Sequence, residues 1–292
     1  MIIDMRCRPP AKEYLEYFSI MQRPEERPEA HHKGSMELFF EEMKAAGITQ
    51  AVAAAGCNPG LRLGKKEIPP RRISNEHAAE VQNQYPERII AVGGVDAGGV
   101  FHDPLEEIEK CKKLGIKGIF IEPGRSPGCY LNDPRLYPIY QKCLDMEMFI
   151  NPQTSGPLGG ANIDYANPKY IDQVAHDFPD LTIICCHGCW PYIHEMIAVA
   201  MRRPNLYTSP DVYVRSAGSN HWVEAANSEF RAGGSPFADK MIFGTAYPYA
   251  RMADYTKWFL SLPWKEEALE KILYKNAIKA MGLDAGTYPS SW

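Results

Sequence analysis

Two hydrophobic periods alternate along this chain. Short apolar runs rich in Ile, Val and Ala, as expected of strands buried on both faces, are separated by stretches whose apolar residues recur every third or fourth position, as in one-sided helices. After the opening strand MIIDMRCR, the stretch MELFFEEMKAAG places Leu38, Phe39, Met43 and Ala46 at helical spacing behind Ser35, a candidate N-cap, and leads into the strand ITQAVAAAG. The alternation continues through a helix over 75–85, strand RIIAVGGVD, helix PLEEIEKCKKLG, strand IKGIFIEP, a helix over 136–146 and strand MFINPQ. Helix PKYIDQVAHDF, strand LTIICCHG, helix PYIHEMIAVAMRR, strand NLYTSPDVY, a helical stretch over 222–230 and strand DKMIFGTAYPY follow. Two helices, ADYTKWFLSL and EEALEKILYKNAIKAMG, close the pattern, and the tail from Asp284 reads as extended. Residues 9–34, rich in Pro, Glu and Arg, read as one long loop, and long loops in compact domains are usually functional.

Eight strand–helix units without a linker or a shift in composition predict an α/β fold: one domain over residues 1–292, a closed (β/α)8 TIM barrel with extra C-terminal helices. A doubly wound open sheet is the rival, but no glycine-rich phosphate loop follows the first strand. Gly93-Gly94 and Gly98-Gly99 lack that spacing and read as turns or close approaches. In a barrel, chemistry sits where strands end, so Arg6, Arg8, Asp96, Glu122, Gln153, His187, Asp211 and Tyr247 are the candidates for one mouth. Period-2 geometry points Arg6 and Arg8 the same way as Asp4. The facing of Glu122 depends on strand parity, which a one-residue slip reverses.

Composition narrows the partners. Lys plus Arg number 32 against 36 Asp plus Glu, a formal charge of -4, which is no footprint for nucleic acid or an anionic membrane. No apolar run approaches the roughly 20 residues that span a bilayer. Eight cysteines spread along the chain, with no signal-like segment ahead of Ile2, fit reduced thiols and a cytoplasmic location. The expected partner is a small molecule, and self-association is left open.

The segments CCHGCWPYIHEMIAVAMRRPNLYTSPDVY, MIFGTAYPY and LYKNAIKAMGL resemble the amidohydrolase-related superfamily, in the subgroup of aromatic-acid decarboxylases and lactone hydrolases, from Met1 to about Leu283. The resemblance implies a metal site with two histidines on strand one, one on strand five, one on strand six and an aspartate on strand eight. Here those places hold Arg6 and Arg8, Gln153, His187 and Ala246, so only His187 remains. A guanidinium cannot ligate a cation. The family's lactonases of 2-pyrone-4,6-dicarboxylate work without a metal and hold substrate with arginines, although they keep the strand-eight aspartate.

The charged candidates carry alternative readings. Arg6 and Arg8 form either an anion clamp for a carboxylate-bearing substrate or an ion-pair network with Asp4, Asp96 or Glu122. His187 is either the general acid or base or a relic bonded to Arg8, and Asp211 either orients it, serves as base, or pairs with an arginine. Gln153, Tyr247 and Glu122 are candidate substrate contacts. Cys186 and His187 point to opposite faces of a strand, which argues against a shared ion, and Cys185 and Cys186 read as core. His31-His32 are either a lid or solvated loop residues. Three functions follow. The first is a hydrolase or carbon–carbon lyase without metal, with His187 and Asp211 catalytic. The second is a decarboxylase that keeps zinc or manganese through His187, Asp211 and Glu122. The third is an inactive binder of acidic ligands.

Overall fold

A computed structural model describes residues 1–284 apart from Ala217 and Ala232, so the extended reading of the tail beyond Asp284 lies outside the described residues. Seven parallel strands form one curled sheet in chain order: Ile3–Asp4, Gln50–Ala54, Ile89–Val95, Gly118–Ile121, Phe149–Pro152, Ile183–Cys186 and Leu206–Ser209. The eighth place belongs to residues 241–247, where Met241 bridges Thr208 of the seventh strand and Tyr247 bridges Cys7 beside the first. Hydrogen bonds from Ile242 N to Thr208 O (2.8 Å) and Met5 N to Phe243 O (3.0 Å) close the ring. The fold is therefore the expected TIM barrel, with an eighth stave held by isolated bridges.

Side-chain alternation builds two cores. Val52, Ile90, Val92, Phe120, Ile184 and Cys186 pack together inside the barrel. Their neighbours Ala51, Ala53, Ala91, Ile119, Ile121 and Cys185 pack outward under the helices. Because Phe120 faces in, Glu122 two residues later does too, which settles its parity. The first strand breaks the rule. Ile3 and Met5 are interior, yet Arg6 also enters the barrel mouth, because a turn at Met5 and Arg6, closed by Arg6 N on Asp4 Oδ1 (3.0 Å), shifts the register. Arg6 and Arg8 do share a side, but Asp4 is turned away to Thr245, whose backbone N–H donates at 2.9 Å and hydroxyl at 2.6 Å.

Two regions differ from the sequence expectation. Residues 9–34 are not one loop: they hold helix Lys12–Met21, a short turn and helix Glu29–Lys33. Tyr14, Tyr17, Phe18 and Met21 recur at i, i+3, i+4 and i+7, a helical period hidden by the Pro- and Glu-rich composition around it. The second strand is followed by an excursion over residues 57–72 that contains two small antiparallel ribbons, Cys57–Asn58 with Arg71–Arg72 and Leu61–Leu63 with Lys66–Ile68. Gly60 turns this excursion at φ +89, where a Cβ would lie 2.5 Å from Ile68 O. Among the described residues, no helix is long and apolar enough to cross a membrane, and all eight cysteines are free thiols.

Candidate active site

The C-terminal ends of the strands enclose a cavity of about 190 Å³. A larger hollow of about 450 Å³ beside Lys117, Asp180 and Lys279 lies at the strand starts, the end of a barrel that serves stability. The smaller cavity holds the chemistry. It is roofed by Tyr17, Phe18 and Met21 of helix Lys12–Met21 and walled by Arg6, Arg8, Arg71, Glu122, Arg125, Gln153, His187 and Tyr213. The roof is tied down at both ends. Glu13 accepts from Ser74 N (2.5 Å) and Ser74 Oγ (3.0 Å), and Gln22 Nε2 donates to Pro248 O (2.9 Å).

Backbone strain gathers at this mouth. His187, Asp211 and Ala246, which end the sixth, seventh and eighth staves, all carry positive φ (66, 46 and 61). That conformation costs a non-glycine residue of order 1–3 kcal/mol and concentrates at functional sites. It also explains how His187 and Cys186 both reach the interior: strand alternation stops at Cys186, and the chain turns at His187. Asp211 Oδ2 lies 2.7 Å from His187 Nδ1 and 3.7 Å from Arg6 Nε. The short histidine contact lies off the direction of the ring N–H, so it is a close polar contact and not a straight hydrogen bond. With Nδ1 turned to Asp211, Nε2 is the nitrogen left for a ligand. Burial, reinforced by the like charges of Arg6 and Arg8, outweighs Asp211 and pulls His187 down to about 4, so the imidazole is neutral at neutral pH. Tyr213 packs edge-on against His187 (5.4 Å) and bonds Ser155 Oγ at 2.7 Å.

Four guanidiniums share the cavity. Arg6 Nη1 reaches Cys186 Sγ (2.9 Å) and its guanidinium sits 4.9 Å from the Phe120 ring centroid. Arg8 donates to Tyr247 O (3.2 Å), and burial with the like charges of Arg6 and Arg71 lowers it to about 9, still cationic at neutral pH. Arg71, brought in by the excursion after strand two, donates to Ala54 O (2.8 Å) and lies 4.0 Å from Glu122 Oε2. Arg125 Nη1 lies 3.1 Å from Glu122 Oε1, and Asn58 also bonds that carboxylate. Sequence reasoning did not single out Arg71 or Arg125. The adjacent arginines in PPRRIS and the i,i+3 spacing of Glu122 and Arg125 were the available signals.

The other candidates divide. Gln153 lines the cavity; its Oε1 accepts from Ser155 N (3.1 Å), leaving its amide N–H groups as donors. Tyr247 does not face the cavity: its hydroxyl donates to Glu42 (2.8 Å), and only its carbonyl meets Arg8. Asp96 is spent on the backbone N–H groups of Gly98, Val100 and Phe101 and on the Ser126 hydroxyl. His31 is neither a mobile lid nor solvated: it is buried with Nε2 3.0 Å from Arg8 O, while His32 is exposed.

These donors do not make a cation site. Among the described residues, no group of three or more His, Cys, Asp or Glu side chains could hold a metal ion. Asp211 is engaged with His187 and Arg6, Glu122 is engaged with Arg71, Arg125 and Asn58, and four guanidiniums oppose a cation's entry.

Residues 3–283 match the family described as amidohydrolase. The chain belongs to that family. An uncharacterised TIM-barrel protein of Bordetella bronchiseptica is 38% identical, with 96% of this chain and 98% of that one covered and a TM-score of 0.82. A probable 2-pyrone-4,6-dicarboxylic acid hydrolase of Acinetobacter baumannii, solved with citric acid, shares the fold at 16% identity and TM-score 0.63, covering 97% of this chain and 99% of that one. The 2-amino-3-carboxymuconate-6-semialdehyde decarboxylase of Dictyostelium discoideum is 33% identical over 81 residues, 27% of this chain. The match spans only 22% of that relative's length. Decarboxylases and a hydratase share the fold as well, so the architecture is common to proteins of different reaction types.

Proposed function

We propose that this member of the amidohydrolase family is a metal-independent, lactonase-like hydrolase of a small carboxylate-bearing substrate. The observation that carries the reading is a neutral histidine, backed by Asp211, opening into a cavity ringed by four guanidiniums. Arg6 and Arg8 hold a substrate carboxylate, since a guanidinium fork binds that group with planar specificity and keeps its charge. His187 Nε2 takes a proton from water as the water oxygen attacks the ester carbonyl of the ring. The amide N–H of Gln153 and a neighbouring guanidinium face the oxyanion that develops. When the tetrahedral intermediate collapses, the ring C–O bond breaks and the proton on His187 passes to the departing oxygen, leaving a hydroxyl and a carboxylic acid, which gives up its remaining proton to solvent. General base catalysis of this kind supplies about 100- to 10,000-fold in rate.

A histidine held neutral suits proton abstraction from water better than proton delivery to carbon, which favours hydrolysis over decarboxylation. The test is a turnover screen of lactones and aromatic acids with chelator-treated protein and with His187→Gln. Ring opening that survives chelator and is lost in His187→Gln is expected. Carbon dioxide release that requires added zinc or manganese would reject the proposal, and binding without any product would make the protein a binder of acidic ligands.

A further inference from the structure

After strands five, six and seven the chain leaves the barrel in three turns that are fastened to one another. His187, Gly188 and Cys189 stand at φ 66, 59 and 53, so the turn after strand six runs left-handed through three residues, two of which carry a Cβ. Such a backbone persists only where its surroundings over-determine it. Thr154 supplies part of the constraint: its hydroxyl donates to Cys186 O and accepts from Cys189 N (3.2 Å). Trp190 O accepts from Gly156 N (2.9 Å) and ties the same turn to the one after strand five. These bonds fix the backbone, but none of them holds the imidazole. Because the Asp211 contact at Nδ1 is not a straight hydrogen bond, the orientation of the ring is left to packing.

The packing comes from Tyr213, in the turn after strand seven. Its ring meets that of His187 edge to face at 5.4 Å and 89°, and Trp190 stacks on it at 5.2 Å and 16°. Tyr213 is thus wedged between the base and the turn that carries the base. The other end of the same side chain reaches strand five. Its hydroxyl lies 2.7 Å from Ser155 Oγ, and Ser155 N donates to Gln153 Oε1 (3.1 Å), the contact that leaves the Gln153 amide N–H groups for the cavity. Ser155 also holds its own turn, its Oγ accepting from Leu158 N (3.4 Å) and its carbonyl from Gly159 N (2.7 Å). Burial pushes the Tyr213 phenol up, so the hydroxyl keeps its proton at neutral pH and the link to Ser155 stays a hydrogen bond.

We infer that Tyr213 is a positioning residue for both halves of the reaction: its ring fixes the His187 imidazole and shields it from water, and its hydroxyl, through Ser155, fixes the Gln153 amide. The inference rests on the proposed function for the roles of His187 and Gln153. It goes beyond that reading in naming the side chain that aligns the base with the oxyanion donor.

The experiment is NMR of the full chain labelled with nitrogen-15, with His187→Gln and Gln153→Met used to assign the imidazole and side-chain amide signals. At pH 5.5 His187 should be about 3% protonated in wild-type protein. Tyr213→Phe keeps the ring and should leave that fraction within about 2-fold. Tyr213→Ala admits water and should raise it at least about 5-fold, while Asp211, Arg6 and Arg8, the charged groups that face the imidazole, are unchanged. Tyr213→Leu, of similar bulk but without a ring, carries this measurement if Tyr213→Ala fails to fold. The Gln153 amide should gain mobility, read as a reduced heteronuclear NOE, to the same extent in Tyr213→Phe and in Ser155→Ala. The double variant should show no further gain, because both changes break one connection. In turnover of a lactone, Tyr213→Phe should lower kcat about 10-fold with KM within about 3-fold of wild type. An imidazole unmoved when the ring is removed, or a Gln153 amide unmoved in Tyr213→Phe, would overturn the inference, and neither readout depends on turnover. Failure to open any lactone would reject the hydrolase proposal and leave both NMR readouts to decide the positioning role.

Discussion

Lowering the pH tests the catalytic assignment more sharply than any truncation, because burial has moved His187 far from ordinary imidazole behaviour. An unperturbed histidine titrates near 6.5, and here the buried ring between Arg6 and Arg8 is pulled down to about 4. If His187 is the base, about 90% of it is unprotonated at pH 5, whereas an ordinary imidazole would be only about 3% unprotonated. The expected kcat/KM profile is therefore flat from pH 8 to about 5 and falls with unit slope below, centred near 4. Asp211→Asn sharpens the test. Asp211 is the group that raises His187, so its neutralisation moves the acid limb lower still, while the plateau falls about 100- to 10,000-fold as the ring loses its orienting charge. Stability must be followed in parallel. A histidine depressed in the folded state contributes stability that is complete above pH 6.5 and is lost as pH falls towards 4, about 3 kcal/mol for a shift of this size. His31, pushed down to about 4 by burial, is lost in the same window. The assay is initial rate against pH with Tm measured in each buffer, restricted to buffers in which the protein stays folded. An acid limb centred at pH 6 to 7, or an Asp211→Asn variant with an unchanged plateau, would refute the dyad.

Three further outcomes are expected. A Cβ on Gly244 would lie 2.7 Å from Ser209 Oγ and 3.3 Å from Asp211 Cβ, so Gly244→Ala should shift Asp211 and lower kcat at least about 10-fold while Tm drops by only a few degrees; full activity would mean that the site tolerates displacement of Asp211. Glu13→Gln weakens the hydrogen bonds that pin the roof helix to Ser74 and should raise KM with kcat largely kept, at a cost of about 1–2 kcal/mol; an unchanged KM would show that the roof needs no such anchor. Untagged protein purified without added metal should contain well under one equivalent of zinc or manganese by elemental analysis and keep its activity in chelator; stoichiometric metal lost together with activity would reinstate a metal-dependent reaction.

How much of this was readable from the residues differs between scaffold and site. The barrel was legible because its strands, buried on both faces, are near-continuous apolar runs, and its helices carry one apolar stripe each; both are local patterns imposed by burial. Ser35 as an N-cap was legible for the same reason, and its side chain accepts from Leu38 N at 3.2 Å. His187 and Asp211 were legible as strand-end residues, and the absence of histidines at positions 6 and 8 was plain from the family pattern. Their pairing was not, because it depends on positive φ at His187 and Asp211, where strand alternation no longer predicts direction. Position 5 teaches the same lesson. A turn closed by the Asp4 carboxylate shifts the register, so Arg6 and Arg8 enter the mouth while Asp4 turns to Thr245. Arg71 lay beyond the reach of local pattern, since what makes it part of the site is contact with Glu122, Phe120 and a helix concealed in an apparent loop, whereas Arg125 left a weak signal in its i,i+3 spacing from Glu122. Local periodicity determines which segments become strands and helices, but the electrostatics of the mouth is a sum over charges from distant parts of the chain. Only the closed barrel brings those charges within a few ångströms of one another.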